Sequence, residues 1–207
     1  MIDHPTGNKP ERIVIVACGP SKIDFVDILT AFEVENPDFD EVWGVNRAGS
    51  VLKCDLSFFM DDVRQYAGHN DQLIDCLKNL DHKYFTSSPL TDNALQYPLG
   101  EVLSLPRART YLNHTVGYAL AYAALVDSLK EVLVFGADYI RADVPYAEKY
   151  IRNEPARYMA CAAYWCGYLE GKGIRCVITP NSPLLDANIP DEEQFYGYLI
   201  KPVIRRG

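Results

Sequence analysis

Three small residues after the first apolar run of the chain are suited to holding a phosphate. Gly19, Pro20 and Ser21 follow the run 13–17 and precede a segment of helical periodicity. Glycine allows a ligand close to the backbone, and the start of a helix offers free N–H groups to an anion. The GxxxxGKS/T and GxGxxG patterns are both missing, which disfavours a P-loop kinase and a dinucleotide dehydrogenase. A capping turn without a ligand is the alternative interpretation.

Asn46 and Arg47 end the second apolar run and form another candidate contact. The amide of Asn46 both donates and accepts hydrogen bonds, so it can bind the edge of a base or a sugar. The guanidinium of Arg47 can pair with a phosphate or a carboxylate. A turn asparagine beside a surface arginine would give the same pattern.

Asp61 and Asp62 follow the third apolar segment. Adjacent carboxylates can bind Mg²⁺, directly or through water. They are equally suited to cap and begin a helix. The sequence leaves both interpretations open.

His114 precedes Thr115 and Gly117 at the start of an alanine-rich helical segment. The N-terminus of that helix can face an anion, and an imidazole placed there can act as a general base. A capping or surface role is the alternative. The other histidines lie in polar surroundings and are expected on the surface: His4, His69 and His82.

Gly136, Asp138 and Tyr139 close a buried strand, where they can contact a ribose or an acceptor hydroxyl. Asp138 is also a candidate base. A polar segment follows, and we expect it to form a lid over residues 139–155. Its tyrosines can bind a leaving phosphate and its carboxylates can accept a proton; the candidates are Tyr146, Glu148 and Glu154.

The elements that position these residues alternate between strand and helix through most of the chain. This pattern predicts an α/β fold in one domain over 1–207, with a mostly parallel sheet covered by helices on both faces. Ligands of such sheets bind outside the carboxyl ends of the strands, where all the candidates above fall. We expect residues 1–11 to form a flexible leader and 89–108 to form an insertion or flap.

Composition narrows the class of protein. The chain has 207 residues, is 48% hydrophobic and carries a net charge of −8. These values predict a globular protein without a membrane span, and the acidic charge disfavours nucleic acid as a partner. Six cysteines without a CxxC pair are expected to be free thiols in the cytoplasm. The aromatic helix over 155–170 could bury a homodimer face.

The order of the motifs resembles a known superfamily. Gly-Pro-Ser follows the first strand, Asn closes the second, Thr-x-Gly opens a helix of small residues, one strand ends in Gly-x-Asp-Tyr and another runs into Pro-Asn-Ser. This order resembles the bacterial sialyltransferases of the lipooligosaccharide type. It also resembles the related domain of motility-accessory glycosyltransferases and archaeal hydroxymethylpterin pyrophosphokinases. The matching segments are 13–25, 42–47, 114–139 and 174–188.

The resemblance implies a Rossmann-like fold that binds a nucleotide at the strand ends, and the donor of the sialyltransferases is a CMP-sugar. It also implies which residues contact the nucleotide: Gly19, Pro20, Ser21, Asn46, Thr115, Gly117, Asp138, Tyr139, Pro180, Asn181 and Ser182. Those transferases have a catalytic histidine in the lid, and residues 139–158 contain none. Glu148, Glu154, Asp138 or His114 is therefore the expected base.

These observations predict a transferase that uses a nucleotide-activated donor, most simply a nucleotide sugar, and an acceptor that the sequence does not identify. Two alternatives remain. One is Mg²⁺-dependent pyrophosphokinase or nucleotidyl transfer, and the other is a nucleotide-binding protein without catalysis.

Overall fold

Seven short strands, most of them rich in apolar residues, form a single sheet in which all neighbouring strands are parallel. The computed structural model describes residues 3–31, 39–61, 71–139 and 154–187. Within them the strands are β1 Arg12–Val16, β2 Glu41–Val45, β3 Leu56–Phe58, β4 Lys83–Thr86, β5 Ala94–Gln96, β6 Glu131–Phe135 and β7 Arg175–Ile178.

The helices fill the connections between the strands. They are α1 Ile23–Ala31, α2 Ala48–Val51, α3 Asp71–Lys78, α4 Leu99–Leu103, α5 Thr115–Ala123 and α6 Glu154–Gly171. Single turns of 3₁₀ helix cover Pro20–Lys22, Ala108–Thr110 and Leu184–Asp186. Among the described residues, none of the helices combines the length and the apolar character that crossing a membrane requires.

Successive side chains of a strand point to opposite faces of the sheet, and here apolar side chains are buried on both faces. In β1, Ile13 and Ile15 pack in the same core cluster as α5 and α6. Val14 and Val16 pack instead with Phe25 of α1. Helices therefore cover both faces, and the predicted Rossmann-like α/β fold is confirmed.

The strand order is β5-β4-β3-β2-β1-β6-β7. From β1 the chain crosses through α1 to β2 on one side, and β6 lies on the other side of β1. The connections that leave β1 and β6 consequently diverge to opposite faces of the sheet. Their carboxyl ends form the topological switch point, the place where open α/β sheets bind their ligands.

Residues 89–108, expected to form an insertion or flap, contribute an edge strand and buried side chains to the main fold. Ala94–Gln96 is the edge strand β5 and pairs with β4. Tyr97, Val102 and Ala108 are buried in the main core. The segment lacks a clear hydrophobic period because its strand is short and the rest of it is turn and single-turn helix.

The N-terminal residues also differ from the expected flexible leader. His4, predicted on the surface, has a side chain that is 8% exposed. Its Nε2 lies 2.8 Å from a carboxylate oxygen of Glu41, and its Nδ1 lies 2.9 Å from the hydroxyl of Tyr122. Thr6 and Asn8 donate to the same carboxylate. This hydrogen-bond network fixes the segment against the start of β2.

Candidate ligand-binding cleft

A cleft of about 740 Å³ opens at the switch point. This volume is in the range of small-molecule sites. It lies between the ends of β1, β2 and β6 and the starts of α5 and α6. The described residues that line it are Ala17, Cys18, Gly19, Val45, Asn46, Asp61, Asn113, His114, Thr115, Val116, Gly136, Ala137, Tyr139, Pro155 and Tyr158.

Two glycines allow the loops after β1 and β6 to interlock at the floor of this cleft. The N–H of Gly19 donates to the carbonyl of Gly136 at 2.8 Å, and a Cβ at Gly19 would lie 2.5 Å from that oxygen. Gly136 has a φ of 70°, and a Cβ there would lie 2.4 Å from the carbonyl oxygen of Ala17. Both positions thus need glycine for the packing of the chain itself, whatever ligand binds.

Ser21 and Asp138 lock the same two loops together. The backbone N–H of Ser21 donates to Oδ2 of Asp138 at 2.6 Å, and its hydroxyl donates to Oδ1 at 2.5 Å. The N–H of Gly136 donates in turn to the Ser21 hydroxyl at 3.0 Å. Both side chains are buried and neither lines the cleft. The carboxylate of Asp138 therefore holds the Gly-Pro-Ser turn in place.

Asn46 enters the cleft from the end of β2. Its backbone is left-handed, with a φ of 54°, a conformation that asparagine tolerates better than most residues. Its N–H is held by the carbonyl of Phe58 at 2.9 Å. Its Oδ1 is buried and has no hydrogen-bond partner among the described residues. The neighbouring Arg47 is exposed and lines a small depression behind Asn46.

An aromatic group forms another part of the cleft wall. The imidazole of His114 stacks on the ring of Tyr158, with centroids 5.2 Å apart and planes 1° from parallel. His114 Nε2 lies 2.5 Å from the hydroxyl oxygen of Tyr139. The backbone of Tyr139 is left-handed, with a φ of 53°. A strained conformation of this kind at a bulky residue is often found at functional sites.

Burial sets the protonation states of this pair. Desolvation lowers the pKa of His114 to about 4, so its imidazole is neutral near pH 7. Desolvation also raises the pKa of Tyr139 well above its usual value, so its hydroxyl stays protonated. His114 and Tyr139 are thus two neutral groups joined by one hydrogen bond.

The tautomer of His114 follows from its position before α5. Its Nδ1 lies 3.0 Å from where a Cβ at Gly117 would stand, above the first turn of that helix. The N-terminus of a helix is its positive end, so it favours a bare nitrogen there over an N–H. In that tautomer His114 Nε2–H donates to the Tyr139 oxygen, and the Tyr139 hydroxyl hydrogen is left to donate elsewhere.

Three buried polar atoms have no hydrogen-bond partner among the described residues: Asn46 Oδ1, Asn113 Oδ1 and His114 Nδ1. All three residues line the cleft. An unpaired buried polar group costs about 1–3 kcal/mol, so native proteins rarely keep one without a reason. Unpaired polar groups in its lining residues mark this cleft as the candidate site for a polar ligand.

The structure brings together part of the predicted site. Gly19, Asn46, Thr115, Gly136 and Tyr139 line the cleft with the candidate base His114 and the candidate metal ligand Asp61. Gly117 lies behind the wall, where a Cβ would be 2.5 Å from the sulfur of Cys161. No group of three or more potential metal ligands occurs among the described residues.

The remaining predicted residues lie elsewhere. Asn181 donates to Oδ1 of Asp24 in α1 at 2.7 Å, and Ser182 is buried at the end of β7. Pro20, like Ser21 and Asp138, belongs to the interlocked turn beneath the cleft. Asp62, Tyr146 and Glu148 lie outside the described residues, as do most of the predicted lid and the side chain of Glu154.

Tyr158 and Asn113 line the cleft but are not among the residues that the sequence predicts for the site. Tyr158 belongs to the aromatic helix over 155–170, for which the sequence suggests a homodimer face, but it stands in the first turns of α6 and stacks on His114. Asn113 directly precedes His114 and lines the cleft with it. Both residues lie near the start of a helix at the carboxyl edge of the sheet, and this position is the signal that could have identified them.

No protein-family model matches the sequence, and no significant similarity to a curated protein is found.

Proposed function

We propose that the protein is a transferase that binds a nucleotide-activated donor, a nucleotide sugar, in the switch-point cleft. The observation that carries this proposal is that three residues lining the cleft, Asn46, Asn113 and His114, keep a buried polar atom without a hydrogen-bond partner among the described residues. An amide at Asn46 suits the edge of a base or a ribose. The free N–H groups at the start of α5 suit a phosphate.

The charges around the cleft favour a donor with one phosphate. Among the described lining residues, Asp61 carries the single permanent charge, and it is negative. A phosphodiester brings one negative charge that backbone N–H groups can hold, whereas a diphosphate would bring a second charge without a lining cation to balance it. A nucleoside monophosphate ester therefore fits better than a diphosphate.

The neutral pair of His114 and Tyr139 would assist departure of the nucleotide. In this mechanism the bond between the sugar carbon and the phosphate oxygen breaks as the acceptor oxygen attacks that carbon. The Tyr139 hydroxyl donates a hydrogen bond to the leaving phosphate, and His114 orients it from behind. The acceptor proton passes to a carboxylate at the cleft, and among the described lining residues Asp61 supplies that carboxylate. The products are a glycoside and a nucleoside monophosphate.

A binding screen tests this proposal directly. Thermal shifts are measured with CMP, CDP, UDP, GDP and ATP, each with Mg²⁺ and with a chelator. A ligand at 100 times its Kd should stabilise the protein by about 2.7 kcal/mol. We expect a metal-independent shift with a monophosphate that is lost in Asn46→Asp and kept in Asn79→Asp, a matched change at an exposed asparagine after α3. No shift with any nucleotide would overturn the proposal.

A second function is favoured by the position of Asp61. A single carboxylate together with substrate phosphates can hold Mg²⁺, so its place in the cleft is compatible with Mg²⁺-dependent pyrophosphoryl transfer. In that case the shift would need Mg²⁺ and would prefer ATP, and Asp61→Asn would abolish it. Binding without turnover of any activated donor would instead indicate a nucleotide-binding protein without catalysis.

A further inference from the structure

A group of stacked tyrosines lies along α6 outside the cleft. The rings of Tyr111 and Tyr164 are 4.2 Å apart between centroids and 9° from parallel. Tyr168 continues the stack one turn further on, at 6.3 Å and 22° from Tyr164. All three side chains are half-buried, so part of each ring is open to solvent. We call Tyr111, Tyr164 and Tyr168 the tyrosine ladder.

The tyrosine ladder is continuous with the cleft wall. Trp165 Nε1 donates to the carbonyl of Tyr111 at 2.6 Å, while His114 stacks on Tyr158. The segment 111–114 therefore runs antiparallel to α6, from the ladder to the cleft. Tyr158 and Tyr164 are six residues apart, which corresponds to about 9 Å along a helix. A chain lying on the ladder could thus reach the cleft.

Two arginines shortly precede Tyr111 of the ladder in the chain. Arg107 and Arg109 are exposed, and neither is ion-paired with a carboxylate within the described parts of the chain. Burial raises the pKa of Tyr164, while the positive charge of Arg107 lowers it. The guanidinium of Arg107 therefore lies near the phenol of Tyr164. The backbone of Arg107 is left-handed, with a φ of 54°. Arg107 thus places a positive charge beside the ladder on a chain whose net charge is −8.

We propose that the tyrosine ladder with Arg107 and Arg109 docks a single-stranded nucleic acid, which carries the acceptor group to the cleft. The role as acceptor rests on the proposed transferase function. Flat bases extend a stack of aromatic rings, and arginines pair with the phosphodiester backbone. A duplex hides the faces of its bases, so it fits this surface less well. Because the rest of the protein is acidic, binding is local and sensitive to salt.

Fluorescence anisotropy with labelled 12-nucleotide strands tests the docking surface. The wild-type protein should bind single strands more tightly than the matching duplex. Two phosphate contacts predict a slope of log K against log salt of about −1.4. Tyr164→Ala should weaken binding by about 10-fold, within the range for loss of one stacked base. The double variant Arg107→Glu and Arg109→Glu should weaken it at least as much without removing a ring.

Controls separate this inference from the proposed function. Lys78→Glu makes one such charge reversal, half of that in the double variant, on α3, which packs against the opposite face of the sheet, and should leave binding unchanged. Tyr164→Ala should keep the nucleotide shift in the cleft. If strands bind but no nucleotide does, docking stands and the transferase function fails.

Several results would overturn the docking proposal. One is the absence of single-strand binding at 50 mM salt, and another is binding that neither variant weakens. A third is a dimer that dissociates in Tyr164→Ala, because the ladder would then be covered by a second copy of this chain.

Discussion

Both carboxylate oxygens of Asp138 accept hydrogen bonds from Ser21, a residue 117 positions earlier in the chain. The contact joins the loops that leave β1 and β6 for opposite faces of the sheet. It makes the shape of the cleft floor depend on a buried charge-assisted pair. The same contact gives Asp138 a structural role in holding the two loops together, and experiments can separate this role from its predicted role as a base.

Asp138→Asn is the variant that separates the two roles. Hydrogen bonds to a charged group contribute about 1.5–3 kcal/mol, so we expect the free energy of unfolding to fall by about 2 kcal/mol and nucleotide binding to weaken. Urea denaturation and a nucleotide titration measure both effects. Ser21→Ala should give a similar loss, because it removes the other partner. If Asp138→Asn keeps stability and affinity but loses turnover, the carboxylate is the base.

Gly19→Ala tests the interlocked loops. Its new Cβ would lie 2.5 Å from the carbonyl oxygen of Gly136 and 2.6 Å from a carboxylate oxygen of Asp138. Crowding of this kind costs about 1–3 kcal/mol, so the melting temperature should fall. Gly100→Ala is the matched control, because nothing lies within 4 Å of the new Cβ in α4. It should stabilise the protein by up to about 1 kcal/mol. Equal effects of the two variants would contradict the packing argument.

The position of the cleft could be predicted because it depends on local signals. A run of buried strand residues that ends in a small or polar residue marks the carboxyl edge of a parallel sheet, as at Gly19, Asn46 and Tyr139. Which of these residues face a ligand could not be predicted. Asn181 also follows a strand, yet its amide is taken by Asp24, a partner 157 positions away.

Long-range pairing also explains the parts of the fold that were missed. The three residues of β5 become a strand because β4 offers them a free edge, not because of their own pattern. His4 is ordered by Glu41 and Tyr122, which lie 37 and 118 positions away. Neither contact leaves a periodic signal in the sequence.

The pKa of His114 gives a prediction about pH. It is about 4 in the folded protein and about 6.5 in an unfolded chain. Between these values the unfolded chain binds a proton that the folded protein does not, so this group lowers stability as the pH falls from 6.5 to 4. His114→Gln should remove that part of the pH dependence, as measured by urea denaturation at each pH.

Ligand binding should move the same pKa upward. A bound phosphate stabilises the imidazolium, so the pKa of His114 should rise when a nucleotide occupies the cleft. NMR titration of the His114 ring proton, with and without CMP, measures the shift. An unchanged pKa under saturating nucleotide would contradict a phosphate position beside His114.

The buried carboxylate of Glu41 should cause a loss of stability in acid that is independent of His114. Burial alone would raise its pKa, but hydrogen bonds from His4, Thr6 and Trp43 outweigh burial, and its pKa lies below the usual value. The carboxylate therefore stabilises the fold above about pH 4.5, and this contribution is lost as the pH falls through the lowered pKa.

Glu41→Gln should cost several kcal/mol at pH 7, because a buried charged acceptor of several hydrogen bonds is lost and donors are left unsatisfied. The difference between variant and wild type should shrink in acid, since protonation removes the same charge from the wild type. Urea denaturation from pH 3 to 7 measures this difference. Glu101→Gln, at an exposed position of α4, is the control and should change stability little at any pH. A cost of Glu41→Gln that stays constant across this range would show that the carboxylate contributes by its shape and not by its charge.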